Sequence, residues 1–287
     1  MKIVVKLGSS SLTNGSIALS RPHMVEFARQ IAQIHNDGHK VILVCSGAIV
    51  AGREVLKIDA CSTSTKQMLA SIGQVRLMHL WTELFALYGI TIGQILLSRN
   101  DFANPAMNLN ARNTLSEMFT HSILPIVNEN DTVATDEITS SAFEENDALS
   151  ALVAGHIDAD LLLLLTDQDG LYTKDPRFHP DAKRIATIEK IDEAVAQYGN
   201  KSQHDNSVGT GGMKTKIQAA NRATSLGIDV IIAQAQENNI LIRILSGEKL
   251  GTHFVSQKDG RESSRMRSFF KNNDKRTKES SSGCDSN

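Results

Sequence analysis

From its first residues the chain alternates short apolar runs with longer stretches whose apolar residues recur every three to four positions. Those are the two periods of strand and helix. Residues 2–7 read as a strand, and the Gly8-Ser9-Ser10-Ser11 run after it suits a turn. Ser20 can cap a helix carrying Pro22 in its first turn; Phe27, Ile31 and Ile34 share one face, and Gly38 suits its stop. Residues 40–45 form the next strand and run into Ser46-Gly47-Ala48. A longer helix covers about 66–88, with Leu69, Ile72, Leu77, Leu80 and Leu84 facing inward and Gly89 at its end. Strands at 91–97, 123–128 and 160–166 are separated by helices near 109–120 and 147–157. A helix at 213–226 precedes strands near 229–233 and 240–245.

Repeated strand-helix-strand order predicts an α/β fold, a three-layer αβα sandwich with a mainly parallel central sheet. In such sheets small ligands bind beyond the carboxyl ends of the strands. The polar clusters that follow strands are therefore the candidates for chemistry.

Composition narrows the class without changing this picture. The 287 residues are 41% hydrophobic and 22% charged, ordinary values for a globular chain. The longest strongly apolar run, Leu161 to Leu165, is five residues, whereas a membrane span needs about 20. Lys2 and Lys6 interrupt the opening where a signal peptide would be apolar, and Cys45, Cys61 and Cys284 lack metal spacing, so a cytoplasmic location is expected. Residues 258–287 hold eight Lys/Arg against five Asp/Glu, a local +3 that leaves −5 for the rest of the formal −2 total. The body is thus not an electrostatic nucleic-acid binder, and the polar tail after about 256 is expected to have little order.

Five clusters remain. Lys6-Leu7-Gly8-Ser9-Ser10 puts a lysine and a glycine turn at the end of the first strand, which could hold a phosphate or simply end an edge strand. Ser46-Gly47-Ala48 lets a ligand approach the backbone, or makes a tight corner. Asn128-Glu129-Asn130-Asp131 is either a polar site or a solvated loop. Glu144-Glu145-Asn146-Asp147 is either a site or the acidic start of a helix. Gly209 to Lys216 leads into a helix with Lys214 and Lys216 in its first turns; cations there oppose the helix dipole, so this cluster points more firmly to a bound anion.

Familiar nucleotide and metal motifs do not fit. Lys214 stands where a Gly-x-Gly-x-x-Gly fingerprint needs its last glycine, and the run lacks Walker A spacing. The Asp167-Gln168-Asp169-Gly170 run has Phe178 where a calcium loop needs its twelfth-position glutamate. The nine histidines, His35 and His39 among them, read as surface or packing residues.

Taken in order, Val5-Lys6-Leu7-Gly8-Ser9-Ser10, Ser46-Gly47-Ala48-Ile49, Val127-Asn128-Glu129-Asn130-Asp131, Leu164-Leu165-Thr166-Asp167 and the Gly209 to Lys216 run resemble the amino acid kinase family, and within it the glutamate 5-kinases. Gly73-Gln74 and Leu109-Asn110-Ala111-Arg112 belong to the same resemblance, which spans about residues 2–254. It implies ATP-dependent phosphorylation of the γ-carboxylate of L-glutamate to glutamyl 5-phosphate, the first step of proline biosynthesis. It further implies that Lys6 and Lys216 neutralise the moving phosphoryl group and that Asp147 orients them. Glutamate would be held by Ser46, Asp131 and Asn146. ATP would lie along Lys6, Thr166, Asp167, Thr210, Gly211, Gly212, Met213, Lys214, Thr215 and Lys216, with Mg²⁺ on the nucleotide phosphates and no protein metal site.

The same resemblance implies feedback inhibition by proline, a homo-oligomer (dimer or tetramer) and functional coupling to glutamate-5-semialdehyde dehydrogenase, with neither nucleic acid nor membrane as a partner. Residues 1–256 would form the kinase domain, and 257–287 are too few and too polar for the PUA domain many relatives append. Phe143-Glu144-Glu145 departs from the glycine and aspartate the family usually carries ahead of the Asn-Asp pair. Rival expectations are a kinase of another small acid, such as acetylglutamate or aspartate, a nucleoside monophosphate kinase, and a nucleotide-binding regulator without catalysis.

Overall fold

The computed structural model describes residues 1–133, 145–200 and 212–257. Its centre is an eight-stranded sheet in the order β3-β4-β2-β1-β5-β7-β8-β6. The strands are β1 (Lys2–Leu7), β2 (Lys40–Cys45), β3 (Ile92–Leu97), β4 (Leu124–Glu129), β5 (Leu161–Thr166), β6 (Thr187–Ile188), β7 (Asp229–Gln234) and β8 (Thr252–Phe254). The six from β3 to β7 run parallel, β8 runs antiparallel to β7, and β6 pairs parallel with β8. The mainly parallel sheet expected from the alternation is present.

Helices α1 (Ser9–Thr13), α2 (Arg21–Asn36), α3 (Ala48–Leu56), α4 (Thr63–Ala86), α5 (Arg99–Ala103), α6 (Pro105–Thr120), α7 (Glu145–His156), α8 (Glu193–Asn200), α9 (Met213–Ser225) and α10 (Ile240–Leu245) supply the outer layers. Two separate apolar clusters follow from the strand period of two. Ile3, Val5 and Leu7 of β1 pack with α2, α4 and α10, whereas Val4 packs with α7 and α9 on the other face. A buried Val, Leu or Ile side chain contributes about 1.5–3 kcal/mol, so a central strand whose Ile3 to Leu7 positions are nearly all sealed from water anchors both layers.

Three readings need correction. Residues 240–245 form α10, not a strand: Ile240, Leu241, Ile244 and Leu245 are buried, the spacing of a helix face, and a six-residue run broken only by Arg243 is too short to display that period. The serine run after Gly8 is the short helix α1 rather than a turn. The helix expected at 147–157 begins two residues earlier, at Glu145, so Asn146 and Asp147 both lie in the first turn of α7. Ser20 does precede α2, but its hydroxyl meets His23 Nδ1 at 3.2 Å and caps no backbone amide. The polar tail, residues 258–287, lies outside the described residues.

One helix contact fixes the geometry over β2. A Cβ placed on Gly73 of α4 would lie 1.7 Å from the Ala48 carbonyl oxygen, and one on Gly52 of α3 would lie 2.1 Å from the Leu69 carbonyl oxygen. The α3 and α4 backbones thus touch directly, which only glycine permits at those two positions. Gly47, at φ +104°, turns the chain from β2 into α3, a conformation that other residues rarely adopt. Among the described residues no helix is long and apolar enough to cross a membrane.

Candidate active site

The strand period that puts Val4 in the α7 and α9 layer puts Lys6 there too. Its ammonium group lies 2.6 Å from Asp147 Oδ1, with Lys6 4% and Asp147 0% exposed. The second carboxylate oxygen faces Lys216 Nζ at 3.3 Å and accepts a hydrogen bond from Thr215 Oγ1 at 2.8 Å. Residues 6, 147 and 216, far apart in the chain, therefore form one buried unit of two cations and one anion.

The charges shape each other. Burial by itself pushes the Asp147 carboxyl up; attraction to Lys216 and Lys6 outweighs it, aided by hydrogen bonds from Lys6 and Thr215, and brings the pKa down to about 2. Burial pulls the Lys6 ammonium below its usual 10.5; Asp147 opposes that pull and the Lys216 charge adds to it. Lys216 stands in the first turn of α9, the wrong end of a helix for a cation, and Asp147 answers that conflict, while Lys214 points to solvent. A side chain on Gly8 would approach Lys6 Nζ to 3.2 Å, so a glycine between β1 and α1 leaves the ammonium its room.

A second group of side chains lies over β2 and β4. Asn146, next to Asp147, donates from Nδ2 to Ser46 Oγ at 2.8 Å, which joins two of the residues expected to hold the acceptor. Asn146 Oδ1 is buried without a hydrogen-bond partner among the described residues. Asp131, half-buried, follows β4. Asn128 on β4 donates from Nδ2 to Gln74 Oε1 at 2.8 Å, and its Oδ1 accepts from the Glu129 amide at 2.9 Å.

A third group lies at the end of β5. Thr166 is buried and its hydroxyl donates to Asp167 Oδ1 at 2.9 Å, with Asp167 exposed. Gly212, Met213, Lys214 and Thr215 open α9, while Thr210 and Gly211 lie outside the described residues, as does Glu144 of the departing loop. The described candidates thus gather at the carboxyl ends of β1, β2, β4 and β5 and the starts of α7 and α9, where an open α/β sheet binds ligands. Gln74 enters the sequence reading only as part of the Gly73-Gln74 resemblance; its bond to Asn128 and the Thr215 bond to Asp147 are not legible there, because each joins residues more than fifty positions apart.

Comparisons with known proteins bear on the family and the fold. The sequence model described as the amino acid kinase family matches residues 1–234. The chain is 47% identical over 263 residues to the glutamate 5-kinase of Pasteurella multocida, covering 91% of this chain and 70% of that protein. It is 49% identical over 255 residues to the glutamate 5-kinase of Vibrio campbellii, covering 88% of this chain and 66% of that one. The chain therefore spans about two thirds of the length of these relatives. Among solved structures, UMP kinase from Bacillus anthracis superposes with a TM-score of 0.57 at 16% identity, covering 88% of this chain and 95% of that one. UMP kinase from Ureaplasma parvum gives 0.58 at 14%, covering 90% and 99%. At that identity these two speak for the fold alone. The family match and the relatives agree, and the chain belongs to the amino acid kinase family.

Proposed function

We propose that the chain transfers the γ-phosphoryl group of ATP to the γ-carboxylate of L-glutamate, giving glutamyl 5-phosphate, the first step of proline biosynthesis. The observation that carries this reading is the buried Lys6–Asp147–Lys216 unit at the strand ends. A glutamate carboxyl group, with an ordinary pKa near 4.3, is ionised at neutral pH and needs no general base. The difficulty is electrostatic: an anionic oxygen must approach a polyanionic phosphate. Two lysines held by one aspartate meet that demand, and because they are already fixed they need no reorganisation as charge moves.

In this reading a γ-carboxylate oxygen attacks the γ-phosphorus, the bond from that phosphorus to the β,γ-bridging oxygen breaks, and ADP leaves with the electron pair. Lys6 and Lys216 neutralise the phosphoryl oxygens, and Asp147 fixes both ammonium groups. Ser46, Asp131 and Asn146 hold glutamate; Asp131 has the charge to pair with its ammonium group. Thr166, Asp167 and residues 210–216 hold the nucleotide. Mg²⁺ chelated by the ATP phosphates adds positive charge to the transferring group. Residues 1–256 carry all of these roles, in the cytoplasm.

The test is ATP- and Mg²⁺-dependent acyl phosphate formation, trapped as hydroxamate, with glutamate, aspartate and N-acetylglutamate side by side. Glutamate-selective product supports the reading. Preference for another acid overturns the substrate assignment while keeping the phosphoryl chemistry, and no product from any of them favours a non-catalytic nucleotide binder.

A further inference from the structure

Gln74 is a polar residue on the inner side of α4, between Leu69 and Leu77, and is only 9% exposed. Its orientation is dictated by a chain of hydrogen bonds. The Glu129 backbone amide can donate only to an oxygen, which fixes Asn128 Oδ1; Asn128 must then present Nδ2, and Gln74 must accept it with Oε1. What remains of Gln74 is Nε2, a buried donor with no hydrogen-bond partner among the described residues. Such a group calls for an explanation in a native fold.

Its position supplies one. Register pairs Lys6 with Val44 and Val44 with Val127, so Asn128 lies one residue beyond the level of Lys6, on the far side of β2. β2 stops at Cys45 and bends away through Ser46 and Gly47, and Gly73, beside Gln74, presses on the Ala48 carbonyl just past that bend. Lys6 points into the α7 and α9 layer and Asn128, the residue after Val127, into the α4 layer, so the two lie on opposite faces of the sheet; their strands, two spacings or roughly 10 Å apart, flank the end of β2, beyond which a ligand meets both faces. An amino acid whose side-chain carboxylate reaches the lysines has its backbone end toward β4, where Asp131 offers a negative charge to the ammonium group.

We propose that Gln74 contacts the acceptor substrate, its Nε2 donating to the α-carboxylate, so that Gln74 and Asp131 together read the zwitterionic end of the amino acid. The assignment rests on the acyl phosphate reading above. It makes Gln74 a specificity-determining residue, required for compounds that carry a free carboxylate on the α-carbon.

The experiment compares wild type with Gln74→Glu and Gln74→Met. Glu keeps the oxygen that accepts from Asn128 and replaces only the donor; Met removes both. Both variants are expected to raise the glutamate KM about 10–100-fold, the loss of a hydrogen bond to a charged group, with the ATP KM changed less than about 2-fold. Acceptance of the α-amide of glutamate relative to glutamate should rise in both. If Gln74 serves only to hold Asn128, Glu will match wild type while Met is impaired, and the proposal fails. If a water satisfies Nε2, neither variant will shift the glutamate KM selectively, and it fails again. Thermal melting accompanies each variant, and should Glu not fold, the KM split and the amide preference of Met decide. Wild-type turnover tests the parent reading separately. If wild type prefers another amino acid, the glutamate assignment falls while Gln74 is judged by the same ratio on that acid; if it binds no α-amino acid, detected by thermal shift across the common ones, both fall.

Discussion

The phosphoryl side and the acceptor side of the site solve opposite problems. Around Asp147 every contact is ionic or charge-assisted: Lys6, Lys216 and Thr215 converge on one carboxylate, and the group is sealed from water. Over β2 and β4 two pairs of neutral groups meet, Ser46 with Asn146 and Gln74 with Asn128, and among the described residues the Asn146 Oδ1 and Gln74 Nε2 atoms have no hydrogen-bond partner. The first region is complete before anything binds, as preorganised electrostatics requires. The second is complete only with a partner, which is what selection among similar small acids requires, because an unmatched buried polar group penalises the wrong ligand.

The largest effect should come from breaking the charged side. Lys6→Ala and Lys216→Ala are each expected to cut kcat by about 10²–10³, by analogy with loss of one oxyanion donor, while circular dichroism still shows a folded protein. Near-normal turnover in either would remove that lysine from the reaction. Asp147→Asn should come next and should act on stability as well: it leaves two buried ammonium groups without their counter-charge, a loss of about 3–5 kcal/mol by denaturant titration.

The pH dependence follows from the same unit. Asp147 has a folded pKa of about 2 against an ordinary 3.8, so its contribution is present above 3.8 and is lost as pH falls toward 2. Stability measured from pH 5 to 2 should decline more steeply in wild type than in Asp147→Asn. On the alkaline side, Lys6 loses its proton below the 10.5 of an ordinary lysine, and removing Asp147 removes the attraction that opposes this. The alkaline limb of kcat should therefore move to lower pH in Asp147→Asn, and an unmoved limb would show that Lys6 does not govern it.

Breaking the acceptor side should be gentler and more selective. Asp131→Ala is expected to raise the glutamate KM on the order of 10–100-fold with little change in the ATP KM, since it removes a charge that meets only the acceptor. Equal effects on both constants would contradict that role. Ser46→Ala should give the smallest shift, on the order of 3–10-fold in the glutamate KM, the size of one neutral hydrogen bond. A larger effect on ATP than on glutamate would move Ser46 to the nucleotide.

The charged side was far more legible in the sequence than the neutral one. Lys6 ends an apolar strand and Lys216 defies the dipole of its own helix, so both announce an electrostatic purpose locally. Gln74 belongs to the resemblance but carries no local sign of a role: that comes from Asn128, fifty-four positions later. The same limit explains the elements. Strands β1, β2 and β5, buried on both faces, stood out as apolar runs, whereas α3 hid behind small residues and Gly52, whose reason is the passing backbone of α4. The run at 240–245 shows the converse failure, since a short apolar stretch broken only by Arg243 signals burial but not the period that would identify the element.

The place of β1 in the sheet has a consequence for how the protein is made. It leaves the ribosome before the other strands of this sheet, yet it lies between β2 and β5, and its second neighbour is synthesised more than 150 residues later. At about 5–20 residues per second, one edge of an almost wholly apolar strand waits on the order of ten to thirty seconds for its partner. Lys6 spends that interval without Asp147 or Lys216, so a nascent chain has no phosphoryl site until α9 is made. The newborn chain is thus both vulnerable to aggregation and unable to spend ATP, and chaperone dependence of its expression is the cellular trace this topology should leave.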